Sequence, residues 1–169
     1  MRRTHPTGPR GRAIVPGILA LVMALALTTG CSSLAGSDDT QEPSAASTLP
    51  TLAAVTLTVG DHTTIVTLYD TPASRELLDR MPLTLPVNDV WNQVKWLEIP
   101  DGLTTEGTET TTHADNGAIT YAESGSMLML AYIPTDFSSE VYQIGTYDVA
   151  DKEFIKSIER GTEATLSHG

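Results

Sequence analysis

Apolar and polar residues alternate along much of the chain after residue 54, with the period of two that is typical of β-strands. The first such segment carries Val55, Leu57 and Val59 between threonines, and it ends at a Gly60-Asp61 turn. The segment "HTTIVTLYD" returns with the same kind of residues. The pattern predicts a β-hairpin over residues 55–69.

The next segment, "DTPASRELLDRMP", has apolar residues at helical spacing. Thr71 is a suitable N-cap, and Pro72 at the first helical position loses no hydrogen bond. We predict a helix from Thr71 to Met81 that covers one end of a β-structure. One face carries Ala73, Leu77, Leu78 and Met81, and the other carries Ser74, Arg75, Glu76, Asp79 and Arg80. Both arginines are expected on the solvated face, with Arg75 paired to Asp79.

Further alternation and apolar runs predict the remaining elements. Strands are expected at 83–87, 93–99, 119–121, 127–133 and 140–149, a long polar loop at 100–118, a second helix ending at Gly161, and a closing edge strand at 162–167. The run "MLMLAYI" is continuous and apolar, which is typical of a central strand. Seven or eight strands with two short helices predict a mainly β fold, an antiparallel sheet or small barrel.

The first thirty residues do not show the alternation of the later segments and instead have a basic start followed by an apolar run. Four arginines among residues 1–12 precede an apolar run from Ala13 to Leu27, and small residues follow up to Cys31. This order is typical of an export signal. The apolar run is short for a membrane-spanning helix, which needs about 20 apolar residues.

Cys31 is the sole cysteine, so it has no internal disulfide partner. The stretch "LTTGC" resembles the lipobox of bacterial lipoproteins, in which this cysteine is lipidated, although Thr28 stands where an aliphatic residue is usual. The resemblance implies a lipoprotein signal peptide (1–30), a flexible tether (31–52) and a folded domain (53–169). The protein is then expected in a bacterial cell envelope, anchored to the membrane at Cys31. The alternative is a plain secretory signal with a chance cysteine.

The net charge limits the kinds of molecule that the protein is expected to bind. The chain has 10 basic and 21 acidic residues. Residues 1–30 hold four of the basic residues and none of the acidic ones, so the chain from Cys31 onward has six against 21, a formal charge of −15. Such a chain is not expected to bind nucleic acid. No sequence motif indicates a cofactor or metal.

Several motifs resemble a bacterial cyclophilin-like family. They are "LYDTPASRELLDRMPLTLP", "GAITYAESGSMLMLAYIP" and "YQIGTYD", which together extend over nearly all of residues 54–169. Ala118 stands where the family often has Asp, and Val94-Lys95 where Glu-Lys is common. The resemblance implies a small closed antiparallel β-barrel whose ends are covered by helices.

The resemblance does not by itself imply prolyl isomerase activity. True cyclophilins carry an Arg within an F-x-R motif, which this chain does not have. They also carry a "WLDG–H" segment, which "WLEIPDG" of this chain resembles only superficially. The sequence therefore favours a non-catalytic module that binds a small molecule or a peptide. A peptidyl-prolyl isomerase and a structural envelope protein remain the alternatives.

Aromatic residues are the candidate ligand contacts. Trp91 lies in a polar segment between strands, where a tryptophan can mark a binding surface or pack locally. Trp96, Tyr121 and Tyr132 are expected either at a barrel mouth or in the core. His113 lies near Glu106, Glu109 and Asp115, but these residues have no known ligand spacing, and we interpret them as a solvated polar loop.

Overall fold

The computed structural model describes residues 48–169, so Cys31, the predicted signal and most of the predicted tether lie outside the described residues. The strands are β1 Thr51–Val59, β2 His62–Tyr69, β3 Leu83–Val90, β4 Val94–Glu98, β5 Thr110–Ala114, β6 Ala118–Ala122, β7 Met127–Ala131, β8 Thr135–Tyr147 and β9 Glu163–His168. The helices are α1 Pro72–Asp79 and α2 Lys152–Ser157, and a 3₁₀ turn, Val149–Asp151, precedes α2. Within this range, no helix has the length and apolar character needed to cross a membrane.

Eight of the strands form a closed antiparallel barrel. Their order is β2-β1-β9-β3-β4-β7-β6-β8, and β8 pairs with β2 to close the ring. The ninth strand, β5, pairs with residues 135–142 of β8 and lies outside the ring. The predicted mainly β fold, a small closed antiparallel barrel with two short helices, is confirmed.

Alternation along the strands divides the apolar residues between two clusters. Leu128 and Leu130 of β7 point into the barrel, whereas Met127, Met129 and Ala131 belong to a second cluster on its outer face. Ala114 of β5 and Phe137 and Val141 of β8 belong to this outer cluster. We call β5 with residues 135–141 of β8 the β5–β8 arm. Because the arm buries the outer face of β7, this strand is apolar on both faces. Its sequence is therefore a continuous apolar run and does not alternate.

Helix α1 begins as predicted. Thr71 accepts a hydrogen bond from the Ser74 amide at 3.2 Å, and Ala73 and Leu77 are fully buried against the core. The assignment of Ser74 to the solvated face was wrong, since Ser74 is buried and its hydroxyl donates to the Ile144 carbonyl at 3.0 Å. The predicted pairing of Arg75 was also wrong: its Nε donates to Asp70 at 2.8 Å.

Two strand predictions need correction. Residues 110–114 form β5 and not part of a loop, because β-branched threonines favour strand geometry even without an apolar face. The segment 163–168 is not an edge strand, since β9 pairs with both β1 and β3. Strand β1 begins at Thr51.

Candidate functional site

A cleft of about 350 Å³ lies beside the β5–β8 arm, on the outside of the barrel. It is bounded by β5 and the turn after it, by β6, and by the last part of β8. Its lining comprises Tyr69, Thr111, His113, Ala114, Asp115, Asn116, Gly117, Ala118, Ile119, Thr120, Gln143, Gly145, Thr146, Tyr147 and Val149. The cleft therefore combines hydroxyl, amide and carboxylate groups with short apolar side chains, a mixture that suits a small ligand.

Gly117 allows the turn between β5 and β6 to approach the barrel closely. Its φ is +84°, and a Cβ atom there would lie 2.8 Å from Val149 Cγ2 and 3.0 Å from the Tyr147 carbonyl oxygen. The Gly117 amide donates to the Ala131 carbonyl, and its carbonyl accepts from the Tyr147 amide. Contacts on both sides fix the wall of the cleft at this point.

His113 is the basic group of the cleft lining, and it lies between two carboxylates. Its Nδ1 is 2.6 Å from Asp136 Oδ1, and its Nε2 is 3.3 Å from Asp115 Oδ1. Hydrogen bonds to Asp136, and then to Asp115, raise the pKa of His113 above its ordinary value. The two carboxylates therefore favour the protonated imidazole and balance its charge.

Of the three acidic residues near His113 in the sequence, Asp115 contacts it, and a second carboxylate comes from Asp136 of β8. The two carboxylates in contact with it are Asp115 and Asp136, and neither Glu106 nor Glu109 is among them. In the described part of the chain, no three His, Cys, Asp or Glu side chains are grouped so that they could hold a metal ion.

Asn116 lines the cleft, but its side-chain oxygen is buried. Its Oδ1 atom is shielded from solvent and has no hydrogen-bond partner within residues 48–169. Buried polar atoms are nearly always paired, because an unpaired one forfeits the hydrogen bond it made to water. Because this oxygen is sealed from solvent, a ligand in the open cleft does not reach it unless the wall rearranges.

The four aromatic residues singled out in the sequence do not share one surface. Trp91 is 67% exposed at the tip of the β3–β4 hairpin, where Trp91 and Asn92 both have positive φ. Trp96 is half-buried against the outer cluster. Tyr121 is 1% exposed, and its hydroxyl accepts from the Leu103 amide at 2.9 Å. None of the four lines the cleft.

Tyr132 belongs to a buried polar cluster with Asp89 and Lys95. The Tyr132 hydroxyl donates to Asp89 Oδ2 at 2.9 Å, and Lys95 Nζ lies 2.6 Å from the same oxygen. Burial acts to raise the pKa of the Asp89 carboxyl, but hydrogen bonds from Lys95 and Tyr132 outweigh it, so this pKa is lowered. Lys95 Nζ also donates to the Ile158 carbonyl at 2.7 Å. The cluster thus connects strands of the barrel to the end of α2.

Comparison with known proteins supports the fold and the family. The sequence model of the cyclophilin-like family matches residues 57–167, so the chain belongs to that family. The solution structure of the hypothetical protein AF2241 from Archaeoglobus fulgidus is similar, with a TM-score of 0.53 at 15% sequence identity. The similarity covers 69% of this chain and 95% of that one, and at this identity it shows the fold alone. No curated protein matches the chain.

Proposed function

We propose that this cyclophilin-like domain is a binding module that holds a small molecule or a peptide segment in the cleft beside the β5–β8 arm. The cleft carries the proposal, because its lining combines polar and short apolar side chains around a space large enough for a small ligand. The walls are fixed by backbone contacts at Gly117, so the site needs little rearrangement to accept a ligand. A role for the exposed Trp91 in binding a partner stays a prediction, because Trp91 lies outside the cleft.

We further propose that lipid on Cys31 tethers the module to a membrane of the bacterial cell envelope. The support is the export-type N-terminus and the lipobox-like "LTTGC". Cys31→Ala is expected to move the protein from the membrane to the soluble fraction on cell fractionation, because the acyl anchor is lost. A variant that stays as membrane-bound as the parent would exclude Cys31 as the anchor.

Filling the cleft tests the binding function. Thr146 lies half-buried in the lining, so Thr146→Trp is expected to occupy the space of the ligand. Thr165 is equally half-buried on β9 but does not line the cleft, so Thr165→Trp is the matched control.

Native mass spectrometry of the protein purified gently from its own cells gives the measurement. We expect an added mass, beyond the lipid, on the parent and on Thr165→Trp, and its loss from Thr146→Trp. A parent without added mass, or a Thr146→Trp protein that keeps it, would contradict binding in the cleft.

A further inference from the structure

The position of the cleft beside strand β5 indicates what kind of ligand it takes. We propose that the cleft binds an extended peptide segment, which pairs through its backbone with the free edge of β5 as an added strand. The proposal rests on the binding function proposed above and specifies the ligand class for the same cleft.

The first argument is the place of β5 in the sheet. Each strand of the ring pairs with two neighbours, whereas β5 stands last in the order and pairs with β8. Within residues 48–169, no other strand pairs with β5. An edge strand keeps backbone amides and carbonyls that point away from its partner, and these groups can pair with a further strand.

The second argument is that the cleft lies along the free edge of β5. Thr111, His113 and Ala114 line the cleft, whereas residues 135–142, the segment of β8 that pairs with β5, do not. Side chains alternate between the two faces of a strand, so Thr111 and His113 lie on one face and Ala114 on the other. A cleft that reaches both faces of β5 but misses its partner lies at the free edge.

The side chains of β5 do not close this edge. The Thr111 hydroxyl accepts from the His113 amide at 3.1 Å and donates to the His113 carbonyl at 2.9 Å. Such local bonds compete with pairing between strands, but rotation about one side-chain bond releases the hydroxyl. Thr110, Thr112 and His113 are exposed, so an incoming strand displaces solvent there and not packed side chains.

The third argument is that the remaining lining leaves room for a peptide backbone. It includes Gly117, Ala118, Gly145 and Thr146, whose side chains are absent or short. Small residues allow another backbone to approach closely. The volume of about 350 Å³ is near the lower end for ligand clefts, which fits a short segment of one chain.

A second copy of this chain suits the cleft less well than a peptide does. Its β5 would be joined to residues 135–142 of its own β8, and its Ala114 would be packed in its own outer cluster. A second β5 could therefore approach only with its arm and barrel attached. A cleft of this size admits one extended segment and not a folded domain.

The test uses a pool of random hexapeptides with acetylated and amidated ends, because backbone pairing does not require one particular sequence. The matched pool has the same side chains on N-methylated backbones, whose methyl groups block the edge and remove the donors. Each pool is added to the full chain in a nonionic detergent. Hydrogen exchange of single amides is followed by NMR, since pairing slows the exchange of the amides that it covers.

In the free protein, we expect fast exchange for the amides of residues 110–114 that point away from β8. The random pool at saturation should slow their exchange about 10-fold or more, and the N-methylated pool should leave it unchanged. The amides of the Gly60-Asp61 turn, in the β1–β2 hairpin, are the internal control and should not change.

Two variants link the exchange result to the cleft. Thr146→Trp should abolish the slowing of exchange by the random pool, because its side chain fills the space of the peptide. Thr165→Trp should retain the slowing, because Thr165 does not line the cleft.

Equal slowing by the two pools, or no slowing by the random pool, would overturn the inference. So would slow exchange of all β5 amides without peptide, and a faster exchange on dilution would then assign the edge to a second copy. The binding function would survive these results if native mass spectrometry still showed an added mass that Thr146→Trp removes. The two proposals therefore fail in different experiments.

Discussion

Replacing Gly145 with alanine is expected to lower the free energy of unfolding by about 3 kcal/mol or more, because the barrel closes at this residue. Gly145 of β8 lies opposite Leu68 of β2. A Cβ atom on Gly145 would lie 2.2 Å from the Thr67 carbonyl oxygen and 3.1 Å from Leu68 Cα. Both contacts are to backbone, so no rotation of a side chain can relieve them. The pairing of β2 with β8 must separate to admit the methyl group.

The measurement is thermal and urea unfolding of Gly145→Ala against the parent, with a fall in Tm of about 10 °C or more expected. Gly60→Ala is the matched control, because Gly60 has a φ of +59° and nothing within 4 Å of its would-be Cβ. This control carries only the cost of a left-handed backbone, about 1 kcal/mol. A Gly145→Ala protein as stable as Gly60→Ala would show that close contact with β2 does not hold the barrel shut.

Gly145 also shows which features of the fold can be predicted from patterns among neighbouring residues and which cannot. The sequence "YQIGTYD" singles out this glycine as part of a family motif, but the need for it lies in residue 67, which is 78 positions away. Alternation predicts the β1–β2 hairpin and a continuous apolar run predicts β7, because the burial of these elements shows in residues that are neighbours in the sequence. It did not predict β5, whose burial pattern has one buried residue, Ala114, in five.

The cleft could not be predicted from the sequence either, because its lining residues are far apart in the chain. Its lining comes from the end of β2, from β5 and β6 with their turn, and from β8 and the residue after Asp148. The periodicity of apolar residues within one segment does not predict which segments come together in this way. Asn116 falls in a segment that the sequence describes only as a polar loop, and its lack of a partner depends on what packs around it. The aromatic residues were more visible in the sequence, yet Tyr121 and Tyr132 are buried in the core.

The role of Lys95 could also not be predicted from the sequence. Its replacement is expected to have the second large effect on the stability of the fold. Lys95 is 5% exposed, and its Nζ contacts Asp89 Oδ2 and the Ile158 carbonyl and lies 5.6 Å from the centre of the Tyr132 ring. Removing Lys95 leaves the half-buried Asp89 carboxylate without its cation and the Ile158 carbonyl without its donor, and this costs more than the ion pair itself contributes. Lys95→Met should therefore lower the free energy of unfolding by about 3 kcal/mol.

A double-mutant cycle separates the ion pair from general packing. Lys95→Met with Asp89→Leu removes both charges, so part of the stability lost in Lys95→Met should return, but the Tyr132 hydroxyl and the Ile158 carbonyl stay without a partner, and the double variant should remain about 1–2 kcal/mol less stable than the parent. Lys156→Met, at an exposed lysine of α2, should change stability by less than about 0.5 kcal/mol. Equal effects of Lys95→Met and Lys156→Met would show that the buried cluster does not stabilise this end of the barrel.

The pH dependence of the same variants gives an independent check on Asp89. Its pKa is lowered in the folded protein, so its ionisation stabilises the fold above the unfolded pKa of about 3.9, and this stabilisation is lost as the pH falls through the folded value. The stability difference between the parent and Lys95→Met should therefore be full at neutral pH and shrink in acid. A difference that stays constant down to the acid transition would assign the effect of Lys95 to its contact with the Ile158 carbonyl, and so to the end of α2, and not to the carboxylate.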